Sequence, residues 1–235
     1  MHYIIPSLFL STAAAQAVGS LPSLSILKLP QIPVLPLQGV PDVLAGNGYN
    51  SIADSLSKAA QSIGAHTDLT TVANAKLTGD ISVNPTPNIP TTFDLVKSVG
   101  GASATLWQLA YDLENKVCSI ATSINQQNIA AQQSNLAVAI QAQVDALTKL
   151  QQTLNTTVIT VQTQAVAFSD AEKSILTSAI LALVGSVVAS AAPIQALATG
   201  LANVGITSIS SVAGILTAQA NALAAFASKV NFVGL

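Results

Sequence analysis

The sequence contains no arginine and little charge of either sign. Its 235 residues include eight lysines and ten acidic residues, so that 8% of the chain is charged, against about 25% in average soluble domains. The formal net charge is -2. Proteins that bind nucleic acid neutralise phosphates with clustered Lys and Arg. The composition therefore argues against a nucleic-acid partner.

Residue types that carry catalysis and metal binding are also scarce. The chain has two histidines, His2 and His66, one cysteine, Cys118, and one tryptophan, Trp107. No G-x-S-x-G, P-loop, H-E-x-x-H or C-x-x-C pattern occurs in it. His66 could assist a serine nucleophile, but a lone histidine after a helix is far more often solvated. We therefore expect no enzymatic activity, no cofactor, no metal site and a buried, unreactive Cys118.

Half of the residues are apolar, although aromatic residues make up only 4%. Intrinsic disorder requires low hydrophobicity together with high net charge, and this chain has neither. The C-terminal part, about 140 residues rich in Ala, Leu, Ile and Val, is long enough to bury one helical core. We expect an ordered domain there.

The N-terminal segment resembles a secretory signal. Residues 4–10 form a short apolar run, and Ala15-Gln16-Ala17 supplies a small-x-small cleavage pattern. We predict a signal peptide over 1–17 and therefore a secreted protein, extracellular or in the cell wall. The alternative is an ordinary apolar segment, because Pro6 interrupts the run and no Lys or Arg precedes it.

Proline divides the next part of the chain. Five prolines between residues 18 and 50 alternate with Leu, Ile and Val, which favours an extended backbone. This apolar extension either straps the folded domain or packs on something else. Residues 51–92 are expected to hold one short helix, from Ser51 to a stop at Gly64, and a linker. The linker contains Asn84–Pro90, whose three prolines predict a domain boundary.

Residues 93–235 carry the pattern of a helical bundle. Apolar residues recur at steps of three and four along successive segments. The first predicted helix ends near Asn125, and the second runs to about Ala165. Ser169-Asp-Ala-Glu172 forms a capping box that opens the third. We predict an all-α bundle of four to five helices.

Three breaks are expected in the later part of this bundle. Pro193 kinks or divides the third helix, and Gly200 and Gly205 follow as further breaks. Thr207 or Ser208 then caps a fourth long helix with a heptad-like seam.

Long stretches of these helices carry no charge. Residues 174–228 and 117–144 contain no Asp, Glu or Lys. The segment 175–192 is apolar enough to suggest a membrane span, which needs about 20 residues. Its Ser and Thr content, the following Pro193, the capping box and the lack of a basic flank favour a buried bundle helix instead. The outer faces are expected to be Ser, Thr, Gln, Asn and Ala, which can approach wax, lipid or polymer at low cost.

The order of features over about 94–230 resembles the fungal hydrophobic-surface-binding proteins and related cell-wall galactomannoproteins. The resemblance rests on an apolar helix ending near Ile124, on Phe168-Ser-Asp-Ala-Glu172, on 201–207 and on a final helix at 215–230. It implies a small secreted all-α bundle without catalysis that adsorbs to hydrophobic surfaces. In some members it also implies a fatty-acid cavity between helices. The long Pro-rich extension departs from this pattern.

Three functions follow as expectations. A closed bundle could enclose an acyl chain. Alternatively, the uncharged outer faces and the Pro-rich extension could meet an apolar surface directly, or the helices could reopen onto it as interfacial amphipathic helices do. In the third case the protein is a structural or adhesive wall component without a ligand. The predicted partners are a hydrophobic surface or a fatty acid or other lipid, and a secreted hydrolase is a further candidate. Asn155-Thr-Thr157 is the one N-glycosylation sequon. The candidate apolar-binding residues, which could equally be plain core, are Val117, Ile120, Leu147, Leu183, Leu216 and Phe226.

Overall fold

A computed structural model describes residues 48–83, 89–121, 129–203, 207–230 and 232. The predicted signal peptide and the Pro-rich extension up to residue 47 lie outside these residues. The described part of the chain forms five α-helices and a 3-10 turn, without a strand, so the all-α bundle is confirmed. The helices are α1 (Gly48–Val83), α2 (Ile89–Ala121), α3 (Ile129–Thr163), α4 (Asp170–Asn203) and α5 (Ser210–Ala227), and the 3-10 turn is Ala165–Ala167.

Each helix packs against two others, and the order around the bundle is α1, α2, α4, α5, α3. Helices α1 and α2 are antiparallel, because Ser55 bonds to Asp112 and Thr70 bonds to Ser98. Helices α4 and α5 form an antiparallel hairpin and lie on the opposite side of the bundle from α1.

The core runs through the middle of this ring. All five helices contribute apolar side chains to one buried cluster, and most of its leucines and isoleucines have no exposed surface. Burying one such side chain contributes about 1.5–3 kcal/mol. The helical periodicity of the sequence therefore dictates the fold mainly through apolar burial.

Helix α1 is much longer than expected. The predicted stop at Gly64 is wrong, because α1 continues for 36 residues to Val83. Buried positions recur beyond the glycine at Thr67, Thr70 and Leu77, against α2 and α3. Burial of this face outweighs the cost of about 1 kcal/mol for a glycine inside a helix.

The capping box at the start of α4 is confirmed. The Ser169 amide donates to Glu172 Oε2 at 2.8 Å, and the Glu172 amide donates back to Ser169 Oγ at 3.3 Å. The Thr92 hydroxyl also donates to Glu172 Oε1 at 3.0 Å. The same carboxylate therefore starts α4 and joins it to the first turn of α2.

The structure does not divide the helix at two of the three expected breaks, Pro193 and Gly200, and Gly205 lies outside the described residues. Helix α4 continues through Pro193 and Gly200 to Asn203 without division. Helix α5 has Ile209 at its N-cap, with no side-chain cap. The Ser208 hydroxyl donates to Gln133 Oε1 at 2.7 Å instead. Here a tertiary contact replaces the local cap that the sequence predicted.

Candidate hydrophobic-surface interface

The structure places the predicted apolar-binding residues in the core. Leu147, Leu183, Leu216 and Phe226 are buried members of the central cluster, and Val117 is partly buried against it. Ile120 lies on α2, but its side chain is outside the described residues. These positions are explained by packing between helices.

Two open grooves on the described surface lie away from Leu147, Leu183 and Leu216. One, of about 340 Å³, runs between α1 and α3. The other, of about 470 Å³, runs between α3 and α5, and Phe226 forms part of its wall. The first is lined mainly by hydroxyl and amide side chains, namely Thr71, Asn74, Ala75, Thr78, Gln152, Thr153 and Thr156. The second is lined by amide, apolar and charged side chains, namely Gln151, Gln152, Asn155, Ala222, Ala225, Phe226 and Lys229. Both grooves are open to solvent, so neither is an enclosed acyl-chain cavity between helices.

The asparagine of the sequon is exposed to solvent, as expected, and lies in the groove between α3 and α5. Thr157, the third sequon residue, is buried. Its hydroxyl donates to Asn74 Oδ1 at 3.0 Å and to the Thr153 carbonyl at 3.1 Å. Glycosylation of Asn155 stays a prediction.

The larger apolar side chains that reach solvent on α4 and α5 were not among the predicted site residues. They are Ile175, Leu181 and Val188 on α4 and Ile215 on α5. The exposed residues between them on the outward side are divided equally between Ala or Gly and uncharged polar residues such as Gln195 and Thr199. We define the α4–α5 face as the solvent-exposed side chains of residues 174–227.

One feature of the sequence could have identified this face. Leu181 and Val188 are large apolar residues that fall off the apolar stripe of a segment with no charge. In an ordinary amphipathic helix such positions are charged or polar. The two residues therefore mark an outward side that is apolar as well as uncharged.

The α4–α5 face carries no charged residue, and the charged residues that flank it lie at one end. Residues 174–228 contain none, whereas Asp170, Glu172 and Lys173 stand at the start of α4 and Lys229 follows α5. Because α4 and α5 are antiparallel, all four charged residues lie at the same end of the hairpin. The opposite end, where α4 ends at Asn203 and α5 begins at Ser210, is uncharged.

Helices α4 and α5 are both long and apolar enough to cross a membrane, judged by length and composition alone. Within the windows that meet this test, 44% of α4 and 28% of α5 is buried. Core helices of soluble proteins meet the same test. These shares are those of bundle helices that bury one side and expose the other.

Other exposed apolar residues lie on charged helices. Phe93, Trp107 and Tyr111 on α2 are more than half exposed. Exposed charges such as Asp94 and Glu114 accompany them along the same helix. Contact with an apolar surface would remove water from these ions as well as from the apolar groups. Removing water from an ion is far more costly than removing it from a neutral group.

His66 lies inside α1 and not on a surface after a helix, so that part of the prediction is wrong. Its ring packs so closely on α2 that a Cβ at Gly101 would lie 2.7 Å from Nδ1. This Nδ1 is buried and has no hydrogen-bond partner in the described part of the chain. Burial lowers the pKa of the imidazole below its usual 6.5.

The serines nearest to His66 along the α1–α2 interface are occupied elsewhere. Ser62 pairs with Thr105 at 3.1 Å, and Ser98 donates to the Leu95 carbonyl at 2.9 Å. A Ser–His pair is therefore not formed at this position. Among the described residues, no three His, Cys, Asp or Glu side chains are grouped to hold a metal ion.

Comparison of the chain with protein-family models, with curated proteins and with solved structures finds no match.

Proposed function

We propose that this is a secreted, non-catalytic protein that binds hydrophobic surfaces or lipids through the α4–α5 face. The observation that carries the proposal is the exposure of Ile175, Leu181, Val188 and Ile215 on helices that have no charge between residues 174 and 228. Secretion rests on the sequence of residues 1–17.

Removal of water has opposite effects on the free energy of charged and of apolar side chains. Removing an ion from water costs several kcal/mol, whereas an apolar side chain gains about 25 cal/mol for each Å² that it buries. Contact of the α4–α5 face with an apolar surface is therefore favourable, because apolar area is buried and no ion loses its water. Exposed hydroxyls add little cost, because those of Ser178 and Thr199 already donate to carbonyls of their own helix at 2.9 Å.

Adsorption through the outer face fits the packing better than enclosure of an acyl chain. Leu147, Leu183 and Leu216 already fill the core between the helices, and each is at most 2% exposed. A ligand among them would have to displace close-packed side chains. The α4–α5 face needs no such rearrangement.

Depletion of the full chain from solution onto alkyl-coated and hydroxyl-coated beads of equal area tests the proposal. We expect binding in proportion to alkyl-bead area and little binding to hydroxyl beads. Binding should change little with salt, because the face has no charge to screen. Equal binding to both bead types would contradict the proposal and favour a wall component without an apolar ligand.

Two matched variants identify the face. Ile215 on α5 and Ile159 on α3 are 47% and 51% exposed, so Ile215→Lys and Ile159→Lys place the same charge at similar exposure. We expect Ile215→Lys to weaken adsorption to alkyl beads about tenfold, since drying a charge is costly. Ile159→Lys should bind as the unmodified protein does.

A further inference from the structure

We infer that the lipid this protein binds is a bilayer, and that the α4–α5 hairpin, residues 174–227, leaves the bundle and inserts into it. The inference rests on the proposed function, because it requires lipid to be the apolar partner. It adds which part of the chain enters the lipid. Four properties of the hairpin support it: internal hydrogen bonding, few polar ties to the other helices, length, and the placement of charge.

Several hydroxyls of the hairpin are satisfied within it, whereas the Ser208 hydroxyl donates to Gln133 and the buried Ser210 hydroxyl has no partner among the described residues. Ser186 and Ser190, both buried, donate to the carbonyls of Leu183 and Val187 at 2.6 and 2.9 Å. Thr217 donates both to the Ala213 carbonyl and to Gln195 Oε1 across the hairpin. A segment in hydrocarbon must satisfy its polar groups internally. These side chains would keep their partners after leaving the bundle.

Few polar ties hold the hairpin to the other helices. Among the described side chains of the hairpin, two hydrogen bonds reach another helix, both on α3: from Gln219 Nε2 to Gln151 Oε1 at 2.7 Å and from Ser208 Oγ to Gln133 Oε1 at 2.7 Å. The remaining contacts with α2 and α3 are apolar. Lipid can replace apolar contacts without leaving a polar group unpaired, so release costs the hairpin little in hydrogen bonds.

The other three helices are joined to one another by polar side chains. Ser55 donates to Asp112 at 2.6 Å and Thr70 to Ser98 at 2.9 Å between α1 and α2. Thr157 donates to Asn74 between α3 and α1. Helices α1, α2 and α3 can therefore stay together at the membrane surface, with their former inner side against the lipid.

The dimensions suit a bilayer. At 1.5 Å per residue, the uncharged part of α4 is about 45 Å long and α5 is about 27 Å long. The hydrocarbon core is about 30 Å thick. Helix α4 reaches across it with tilt, and α5 falls about 3 Å short, which local thinning of the bilayer accommodates.

Charge placement gives the hairpin a direction of entry. Asp170, Glu172, Lys173 and Lys229 all lie at the end where the hairpin joins the rest of the chain. The sequence between α4 and α5 contains no ionisable side chain. The end of the hairpin where α4 ends and α5 begins can therefore cross first, while every charge stays on the side of entry.

Depth-dependent quenching of tryptophan fluorescence tests the insertion. Native Trp107, 53% exposed on α2, reports on the helices that stay outside. The variant Trp107→Phe/Val188→Trp moves the one reporter to the outward side of α4. Both proteins are mixed with neutral phosphatidylcholine vesicles that carry bromine deep in the acyl chains. We expect several-fold stronger quenching of the tryptophan at 188 than of Trp107.

A charge at the same position provides a second readout. Val188→Asp and Val138→Asp place one carboxylate at exposed positions of α4 and α3, with the bundle fold of each variant checked by circular dichroism. A charge at the centre of an inserted helix should lower the vesicle partition coefficient about 100-fold. Val138→Asp should leave it unchanged, because Val138 stays outside the hydrocarbon.

The outcomes separate this inference from the function on which it rests. Binding to vesicles without quenching at either position, or binding to alkyl beads without binding to vesicles, overturns insertion and leaves hydrophobic-surface binding intact. Failure to bind either vesicles or alkyl beads overturns both. A second copy on the α4–α5 face, seen as a dimer by sedimentation and a lipid-independent blue shift of the tryptophan at 188, also overturns insertion.

Discussion

The α1–α2 pair and the α4–α5 pair are both antiparallel, yet they are held together differently. Between α1 and α2, side chains bond across the interface, as in Ser55 with Asp112 and Ser62 with Thr105. Within α4, the hydroxyls of Ser186 and Ser190 turn back to their own helix. One polar bond, from Thr217 to Gln195, joins α4 to α5. The comparison teaches that several polar bonds hold the first pair together, whereas the second depends mainly on apolar contacts, which a neighbouring helix or a lipid can supply.

The largest effect on the free energy of unfolding is expected at a core position of α4. Leu183→Ala should lower the free energy of unfolding by about 2–5 kcal/mol, because it leaves a cavity at a position with no exposed surface. Urea denaturation measures the change. Val188→Ala, on the exposed side of the same helix, should change stability by less than about 0.5 kcal/mol. Equal effects at the two positions would contradict the burial of α4.

The close approach of α1 and α2 predicts a smaller effect. Gly101→Ala should destabilise the protein by about 1–3 kcal/mol, because the new Cβ would collide with the ring of His66. Adding His66→Ala removes the ring, so the double variant should recover much of the lost stability. Strictly additive losses in denaturation experiments would show that the collision does not occur.

Hydrogen bonds provide the direct comparison between the two regions. Asn74→Ala removes a buried amide that accepts from Thr157 and should cost about 1–2 kcal/mol. Ser190→Ala removes a buried hydroxyl whose acceptor, the Val187 carbonyl, also belongs to a helix, and should cost less than about 0.5 kcal/mol. A larger loss for Ser190→Ala in thermal denaturation would reverse the comparison.

The smallest effect concerns pH. Burial lowers the pKa of His66, so the unfolded chain binds a proton more readily than the folded chain as the pH falls through 6.5. The free energy of unfolding should therefore decrease over that window, and His66→Ala should remove this decrease.

The control for this titration is Asp112. Burial opposes the shift, but hydrogen bonds from Ser55 and Lys116 and the charges of Lys116 and Lys58 lower its pKa overall. The contribution of Asp112 to stability is fully present above its ordinary pKa of 3.8 and is lost as the pH falls further.

A midpoint of denaturation that does not change with pH through 6.5 in the unmodified protein would contradict the burial of His66.

Local and periodic signals predicted the fold well. The stripes of α2, α3 and α4 and the Ser169–Glu172 capping box follow from spacing alone, because a helix repeats every 3.6 residues. The length of α1 could not be predicted, since the helix passes Gly64 only with the help of burial against α2 and α3. The cap predicted at Thr207 or Ser208 does not form, and the reason is again a tertiary contact, since Ser208 bonds to Gln133 on α3.

The candidate site was harder to predict than the fold. The sequence identified the uncharged stretch 174–228 but not which of its apolar residues face outward. The sequence left Leu183 and Leu216 open between ligand binding and core packing, and the structure buries both in the core. The orientation of Val188 depends on where α2 and α5 lie around α4, which is a tertiary property.

Hydrogen–deuterium exchange of the full chain, free and adsorbed to alkyl-coated beads, tests the central claim most directly. Exchange measures how often each backbone amide opens to water. We predict that adsorption slows exchange in peptides from 174–203 and 210–227 and leaves peptides from 48–83 and 129–163 little changed. Slowing confined to α1 or α3, or equal slowing along the chain, would contradict the account.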